Sequence, residues 1–364
     1  MKLTELIQHA PKVALHDHLD GGLRAQTILE LAEGAGVELP VVTAEGLGEW
    51  FFDQANSGSL AEYLKTFDVT VAVMQSYDNI RRIAREFVLD QAADGVVYAE
   101  ARWAPAQHTR RGMSMEDGVR AVRDGLADGV AEVRAGGRTI VARQLLCELR
   151  GLEPTTDIAE LAIAYRDDSV AGLDCAGPEA GFSSAAFIES FHLALRANMF
   201  LTVHAGEAAG LESIAEAVHV CGAHRIGHGV RLIDDIDTSG PQPKLGRLAS
   251  YVASLRIPLE ICPTSNLQTG VAPDLAQHPF DTLYRAGLRV TVDCDNRLMS
   301  KTTLTREFSR LAEVFGYTMS DVRRLSLNAA KSSFLPWDEK RWLIHDLVLP
   351  GYEASIGHSC APVL

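Results

Sequence analysis

VALHDHLD (Val13–Asp20) opens as a short apolar run and breaks off into polar, chemistry-bearing side chains. An apolar run with no polar face of its own is what a strand covered on both sides looks like. The same form recurs at Val96–Ala101, Thr139–Leu146, Val170–Asp174, Phe200–Val203, Arg225–Ile226, Pro258–Ile261 and Leu288–Val292, which with Val13–His16 makes eight strands. Helix-patterned segments lie between most of them: Ser114–Ala135, Ser183–Met199, Leu211–Val220 and Lys244–Leu255. The first has Ser114 and Asp117 at capping-box spacing and Gly136–Gly137 as a stop. This alternation predicts a closed (β/α)8 TIM barrel. An open doubly wound sheet needs a glycine-rich phosphate turn after an early strand, and neither G-x-G-x-x-G nor G-x-x-x-x-G-K-[ST] occurs.

The barrel is expected to be one domain over residues 1–364. Residues 23–94, between the first two strands, read as a helical insertion and a lid over the barrel mouth. Residues 353–364 carry little pattern and read as a loose tail. Composition agrees with a globular chain: of 364 residues, 47% are hydrophobic and 23% charged, which excludes disorder and collagen-like architectures. A formal charge of −14 repels phosphate backbones, so no nucleic-acid partner is expected. The six cysteines (147, 175, 221, 262, 294 and 360) include no C-x-x-C pair and read as reduced thiols of a cytoplasmic protein. Cys147, Cys175 and Cys221 read as small core residues. The N-terminus MKLTELIQHAPK has no apolar signal core, and no apolar stretch is long enough for a membrane span.

In such a barrel, chemistry sits where the strands end. There the sequence places His16-Asp17-His18-Leu19-Asp20, Glu100 with Arg102, Asp174-Cys175-Ala176-Gly177, His204-Ala205-Gly206-Glu207, Gly227-His228-Gly229 and Asp293-Cys294-Asp295-Asn296. Residues two apart on a strand share a face, so His16 and His18 both point into the mouth. Alone, that pair is compatible with two unrelated polar residues, His204 with a satisfied core histidine, and Asp295 with a helix N-cap. Together, three imidazoles and a carboxylate make a nitrogen–oxygen site that suits zinc. Glu207 reads either as the acid/base beside such a metal or as a salt-bridged glutamate at a helix start. His228 reads either as an electrostatic partner of the attacking oxygen or as a residue that orients a ligand.

These residues fall in blocks whose ordered set resembles the adenosine deaminases of the metal-dependent amidohydrolase superfamily, closest to actinobacterial-type members. The blocks are LHDHLDGGLR (15–24), SGSLAEYL (57–64), YAEARWAP (98–105), GLDCAGPE (172–179), VHAGE (203–207), RIGHG (225–229) and LEICPTSN (259–266), followed by the Asp295 region. The resemblance implies one zinc ion held by His16, His18, His204 and Asp295. It implies Glu207 as general acid/base, and His228 and Asp295 as stabilisers of the charged tetrahedral species formed when water attacks purine C6. It further implies substrate contacts from Gly177, from Asp20 to the ribose, and from Asn296 to purine N7. The expected reaction is hydrolytic deamination of adenosine or 2'-deoxyadenosine in purine salvage. The alternatives are a related aminopurine (a modified nucleoside, aminodeoxyfutalosine or adenine) or a silent nucleoside-binding protein. Related adenine deaminases tend to carry Glu where Asp20 stands, which favours a nucleoside. The H-x-E and P-C-x-x-C pattern of cytidine-deaminase-type sites is absent.

Two positions depart from the family's usual N-T-D-D or N-T-D-N at the eighth strand: Asp293 and Cys294. Asp293 would share a face with Asp295, and reads either as a competing carboxylate or as a hydrogen-bonded residue behind the ligands. The second reading predicts that Asp293→Asn keeps its zinc. Cys294 is expected to face away and pack.

Overall fold

The computed structural model describes residues 2–240 and 242–356. Eight parallel strands form its centre: β1 Lys12–His18, β2 Val96–Trp103, β3 Val141–Leu149, β4 Val170–Ala176, β5 Phe200–Ala205, β6 Arg225–His228, β7 Leu259–Ile261 and β8 Val290–Val292. They pair side by side in that order. β8 meets β1 again through one bridge, Asp17 to Asp295, where His18 N donates to Asp295 O (2.7 Å) and Asp295 N to His16 O (2.9 Å). That seam completes a (β/α)8 barrel. Every residue of β1 is buried, as a strand lined inside by side chains and outside by helices must be.

The chain between β1 and β2 is helical, with Ala25–Ala35, Ala44–Ala55, Leu60–Tyr63, Phe67–Val73 and Tyr77–Ala93. Tyr77–Ala93 packs closely on Met115–Ala135, because Gly125 lets the backbones meet: a Cβ there would lie 2.2 Å from Arg81 O. The sequence expectation fails in two places. Lys244–Leu245 is not helical but pairs antiparallel with Ile236–Asp237, and the helix begins only at Arg247. Asp235 sets that start: its carbonyl accepts from Gly246 N (2.6 Å) and its carboxylate takes Ala249 N (2.8 Å). The last helix runs Leu349–Ile356, so residues 353–356 are helical, while 357–364 and Cys360 lie outside the described residues. No helix among the described residues is long and apolar enough to cross a membrane.

The barrel interior is salt-bridged rather than purely apolar. Arg102 pairs with Asp174 Oδ2 (2.9 Å) and Glu260 Oε2 (2.8 Å), and Arg225 with Glu100 Oε2 and Glu260 Oε1 (both 2.5 Å). All five groups are out of solvent, so removing any one strands a charge its partners need.

Glu148, also buried, has no such cation. Its Oε1 lacks a hydrogen-bond partner, and burial, aided by Asp157, pushes its pKa up to about 7 from 4.5. A carboxyl that ionises later in the folded chain than in the unfolded chain costs stability as pH rises from about 4.5 to about 7. Glu148→Gln removes that cost. Urea unfolding should show a gain of about 3 kcal/mol at pH 8 and little at pH 5. An equal gain at both pH values would rule ionisation out as the cause.

Candidate active site

The ends of β1, β5, β6 and β8 bring His16, His18, His204, His228 and Asp295 to one place at the barrel mouth. Ligand atoms of His16, His204, His228 and Asp295 all lie within 4.8 Å of one another. His18 joins them: its Nε2 is 3.2 Å from His204 Nε2 and 3.3 Å from Asp295 Oδ1. His16 Nε2 is also 3.3 Å from Asp295 Oδ1. The structure thus gathers all four residues expected as ligands, and sets His228 in the same cluster.

This donor set fits a divalent metal ion. Carboxylates behind two of the rings accept hydrogen bonds from their Nδ1–H groups: Glu260 Oε2 lies 3.0 Å from His16 Nδ1, and Asp174 Oδ1 3.1 Å from His204 Nδ1. Each ring is then left with its Nε2 lone pair facing the centre. Burial keeps His16 neutral, lowering its pKa to about 4, and carries His18 well below the ordinary value. His16 Nε2 has no hydrogen-bond partner, and the Nε2 atoms of His18 and His204 face each other at 3.2 Å. Lone pairs crowded in this way are costly without a cation to share them. Ser265 Oγ holds the second Asp295 oxygen at 2.6 Å.

The backbone is bent to make the cluster. His228 and Asp295 both sit in the left-handed region, at φ 60° and 61°, where residues other than glycine are strained. Gly227 beside His228 is needed for room: a Cβ there would lie 3.0 Å from His204 Cα.

Glu207 is buried beside this cluster and makes no salt bridge with a lysine or arginine among the described residues, so it is not a surface helix-start glutamate. Its Oε2 is 3.5 Å from His228 Nε2, and its Oε1 accepts from Thr269 Oγ1 (2.9 Å) and Asn266 Nδ2 (3.3 Å). Burial pushes its pKa up, so it holds a proton more readily than an exposed glutamate. The loop that carries it is clamped by Glu179, whose carboxylate accepts from the amides of Gly206, Glu207, Ala208 and Ala209 at 2.5–3.0 Å and from Ser213 Oγ at 2.6 Å. Asn266 Nδ2 also lies 3.1 Å from His228 Nδ1. With the amide nitrogen donating there, His228 carries its own proton on Nε2, toward Glu207.

A cavity of about 190 Å³ opens from the cluster, lined by His18, Asp20, Phe67, Gln107, Cys147 and Gly177 among others. Cys147, expected as a plain core residue, is buried but forms part of this wall. Asp20 Oδ1 makes no hydrogen bond and lies 3.8 Å from His18 Nδ1, while its Oδ2 lies 3.8 Å from Nε2 of buried His108, which makes none either. Gly177 turns at φ 91°, and a Cβ there would press on Leu149 and Arg150 at 3.1–3.3 Å. Asn296 is buried against Gly21, where a Cβ would fall 1.7 Å from its Oδ1. It is not among the residues lining this cavity.

Asp293 turns away from the cluster. Its Oδ1 accepts from Leu15 N and His16 N, and its Oδ2 from Thr291 Oγ1, so it is the hydrogen-bonded residue rather than the competing ligand. Cys294 packs in the core. Sequence reasoning did not single out Glu179, Glu260, Ser265, Asn266, Thr269 or His108. The signal available for the first four was their place in or near the strand-end blocks; for Thr269 and His108 there was none.

Comparison with known proteins places these residues in context. The family model described as adenosine deaminase matches residues 11–349. Adenosine deaminase 1 of Streptomyces coelicolor is 51% identical over 348 residues, covering 95% of this chain and 88% of that protein. An adenosine deaminase of Mycobacteroides abscessus is 50% identical, covering 96% and 98%. Among solved structures, adenine deaminase from Arthrobacter aurescens superposes with a TM-score of 0.80 at 26% identity, covering 96% of this chain and 99% of its own. Arabidopsis ADAL complexed with IMP gives 0.80 at 28%, covering 98% and 100%.

Proposed function

The chain belongs to the adenosine deaminase family, and from that premise and the geometry above we propose that it hydrolyses adenosine and 2'-deoxyadenosine to inosine and 2'-deoxyinosine with release of ammonia. One zinc ion, held by His16, His18, His204 and Asp295, supplies when bound the Lewis acidity that lets water attack near neutral pH. The observation that carries this reading is Glu207: a buried carboxyl with a raised pKa, set against a cluster of metal-binding side chains.

Glu207 gives its proton to purine N1, which drains charge from C6 and opens it to water. His228, with its Nε2 proton directed into the site by Asn266, holds the oxygen that adds to C6. Asp295 faces the same point and balances the charge that develops there. One proton of the added water passes to the amino group, the C6–N bond breaks with its electron pair leaving on ammonia, and the remaining hydroxyl proton returns to the Glu207 carboxylate, so that the base becomes a 6-oxopurine protonated at N1. Gly177 offers its backbone to the purine, Asp20 a carboxylate oxygen that makes no hydrogen bond of its own to a ribose hydroxyl, and Asn296 an amide to N7.

The solved neighbour complexed with IMP raises a nucleotide as substrate. The residues lining this cavity include no lysine or arginine, and Asp20 would repel a phosphate. The five described cysteines are free and buried, in keeping with a reducing, cytoplasmic setting; a deaminase of this substrate class would serve purine salvage. The test is ammonia release by the purified, zinc-loaded protein, with a chelator-treated control. Adenosine should be turned over in a metal-dependent way, and AMP at least about 100-fold less efficiently. No release from adenosine with zinc still bound would move the substrate to another aminopurine or leave a binding-only protein.

A further inference from the structure

β1 does not pair evenly with β2. Ala14 stands opposite Ala99 and Asp17 opposite Ala101, so Leu15 and His16 together face one residue of β2. Two residues against one is a β-bulge, and its consequence is that successive amides turn to the same side. Here both amides, Leu15 N at 2.8 Å and His16 N at 2.9 Å, donate to one oxygen, Asp293 Oδ1. The bulge is held from its other side as well, since Leu15 O accepts from Arg102 (2.7 Å). Thr291 Oγ1 fixes the second oxygen of Asp293 at 2.6 Å.

This matters because the bulge lies at the barrel seam. Among the described residues, β8 and β1 meet in the Asp17–Asp295 bridge, whose two backbone hydrogen bonds engage His16 O and His18 N, so the amides of Leu15 and His16 receive no partner from the β8 backbone. The Asp293 side chain does what a ladder does elsewhere. Its grip falls on His16 itself and two residues from His18, the two imidazoles that β1 contributes to the cluster.

We propose that Asp293 is a positioning residue: its carboxylate pins the Leu15–His16 bulge and so sets where the His16 and His18 rings stand toward a metal ion. The inference rests on the metal-site reading above. It separates three substitutions. Asn at 293 keeps an acceptor for both amides, and its NH2 can donate to Thr291 Oγ1, which lies 3.3 Å from Leu259 O and can donate there. Leu has similar volume but leaves both buried amides without a partner. Ala does the same and leaves room for water.

The experiment is a titration of the metal-free full-length protein with Co2+, read by its visible spectrum, and with Zn2+ by competition against a chelator. D293N should bind both metals within about threefold of wild type, with an unchanged cobalt spectrum. D293L should bind about 10- to 100-fold more weakly, with an altered spectrum. Ile158→Ala, a core truncation on the helix Asp157–Ala164, which packs on β3 and β4 across the ring from the seam, controls for general destabilisation and should leave affinity and spectrum alone despite a lowered Tm. Unchanged affinity and spectrum in D293L would overturn the inference, as would an equal loss in Ile158→Ala. If D293L lacks the native circular-dichroism spectrum, D293A is titrated instead. Loss of fold in both would overturn it too, making the carboxylate a requirement of the barrel and not of the site. A wild-type protein that binds neither metal would overturn the reading of the site itself.

Discussion

Glu207→Gln is expected to lower kcat by about 10³-fold while zinc content stays at the wild-type level. The change is nearly isosteric, and its surroundings tolerate it. Thr269 Oγ1 and Asn266 Nδ2 still meet an oxygen at the Oε1 position, and the Glu179 clamp on residues 206–209 is untouched because it grips only backbone. What is lost is a transferable proton in a place where burial favours holding one. Because the interaction matters only as charge develops on the purine, KM should move far less than kcat. Steady-state ammonia release, paired with metal analysis of the same sample, decides the matter. Full activity would remove Glu207 from the acid/base role, and loss of zinc would make it a ligand instead.

Stripping the metal is expected to abolish turnover and to lower stability, and adding zinc back should restore both. The cluster is held in place by groups that remain when the ion leaves: Glu260 behind His16, Asp174 behind His204, Ser265 behind Asp295. The metal-free site therefore keeps several lone pairs aimed at one point, which is unfavourable, and the ion relieves it. A ligand that binds only the folded chain stabilises it by about 4 kcal/mol at a free concentration 1,000 times its Kd, which appears as a Tm higher by several degrees. Thermal melts of chelated, zinc-reloaded and untreated protein test this. Identical melting of the stripped and reloaded forms would argue against a metal bound in the native site.

Local pattern was enough for the barrel. Short apolar strands alternating with helical segments have few packing solutions, and all eight predicted strands are present, each at its own place in the ring. The period of a strand put His16 and His18 on one face, and strand-end position marked His204, Glu207, His228 and Asp295. The errors came where a local signal met a stronger neighbour. Lys244–Leu245 was drawn into a ribbon because Asp235 caps the following helix from outside it.

Pattern in one dimension cannot show which side chains meet. That Glu179 holds the Glu207 loop, that Asn266 orients His228, and that Asp293 grips β1 instead of competing for a metal are contacts across 27, 38 and 277 positions of chain. Each depends on strands brought side by side by barrel closure. The residues proposed for the chemistry were therefore readable from the sequence as candidates, since their type and place on a strand are local properties. Their protonation and aim were not, because burial and hydrogen-bond partners exist only once the ring has closed around them.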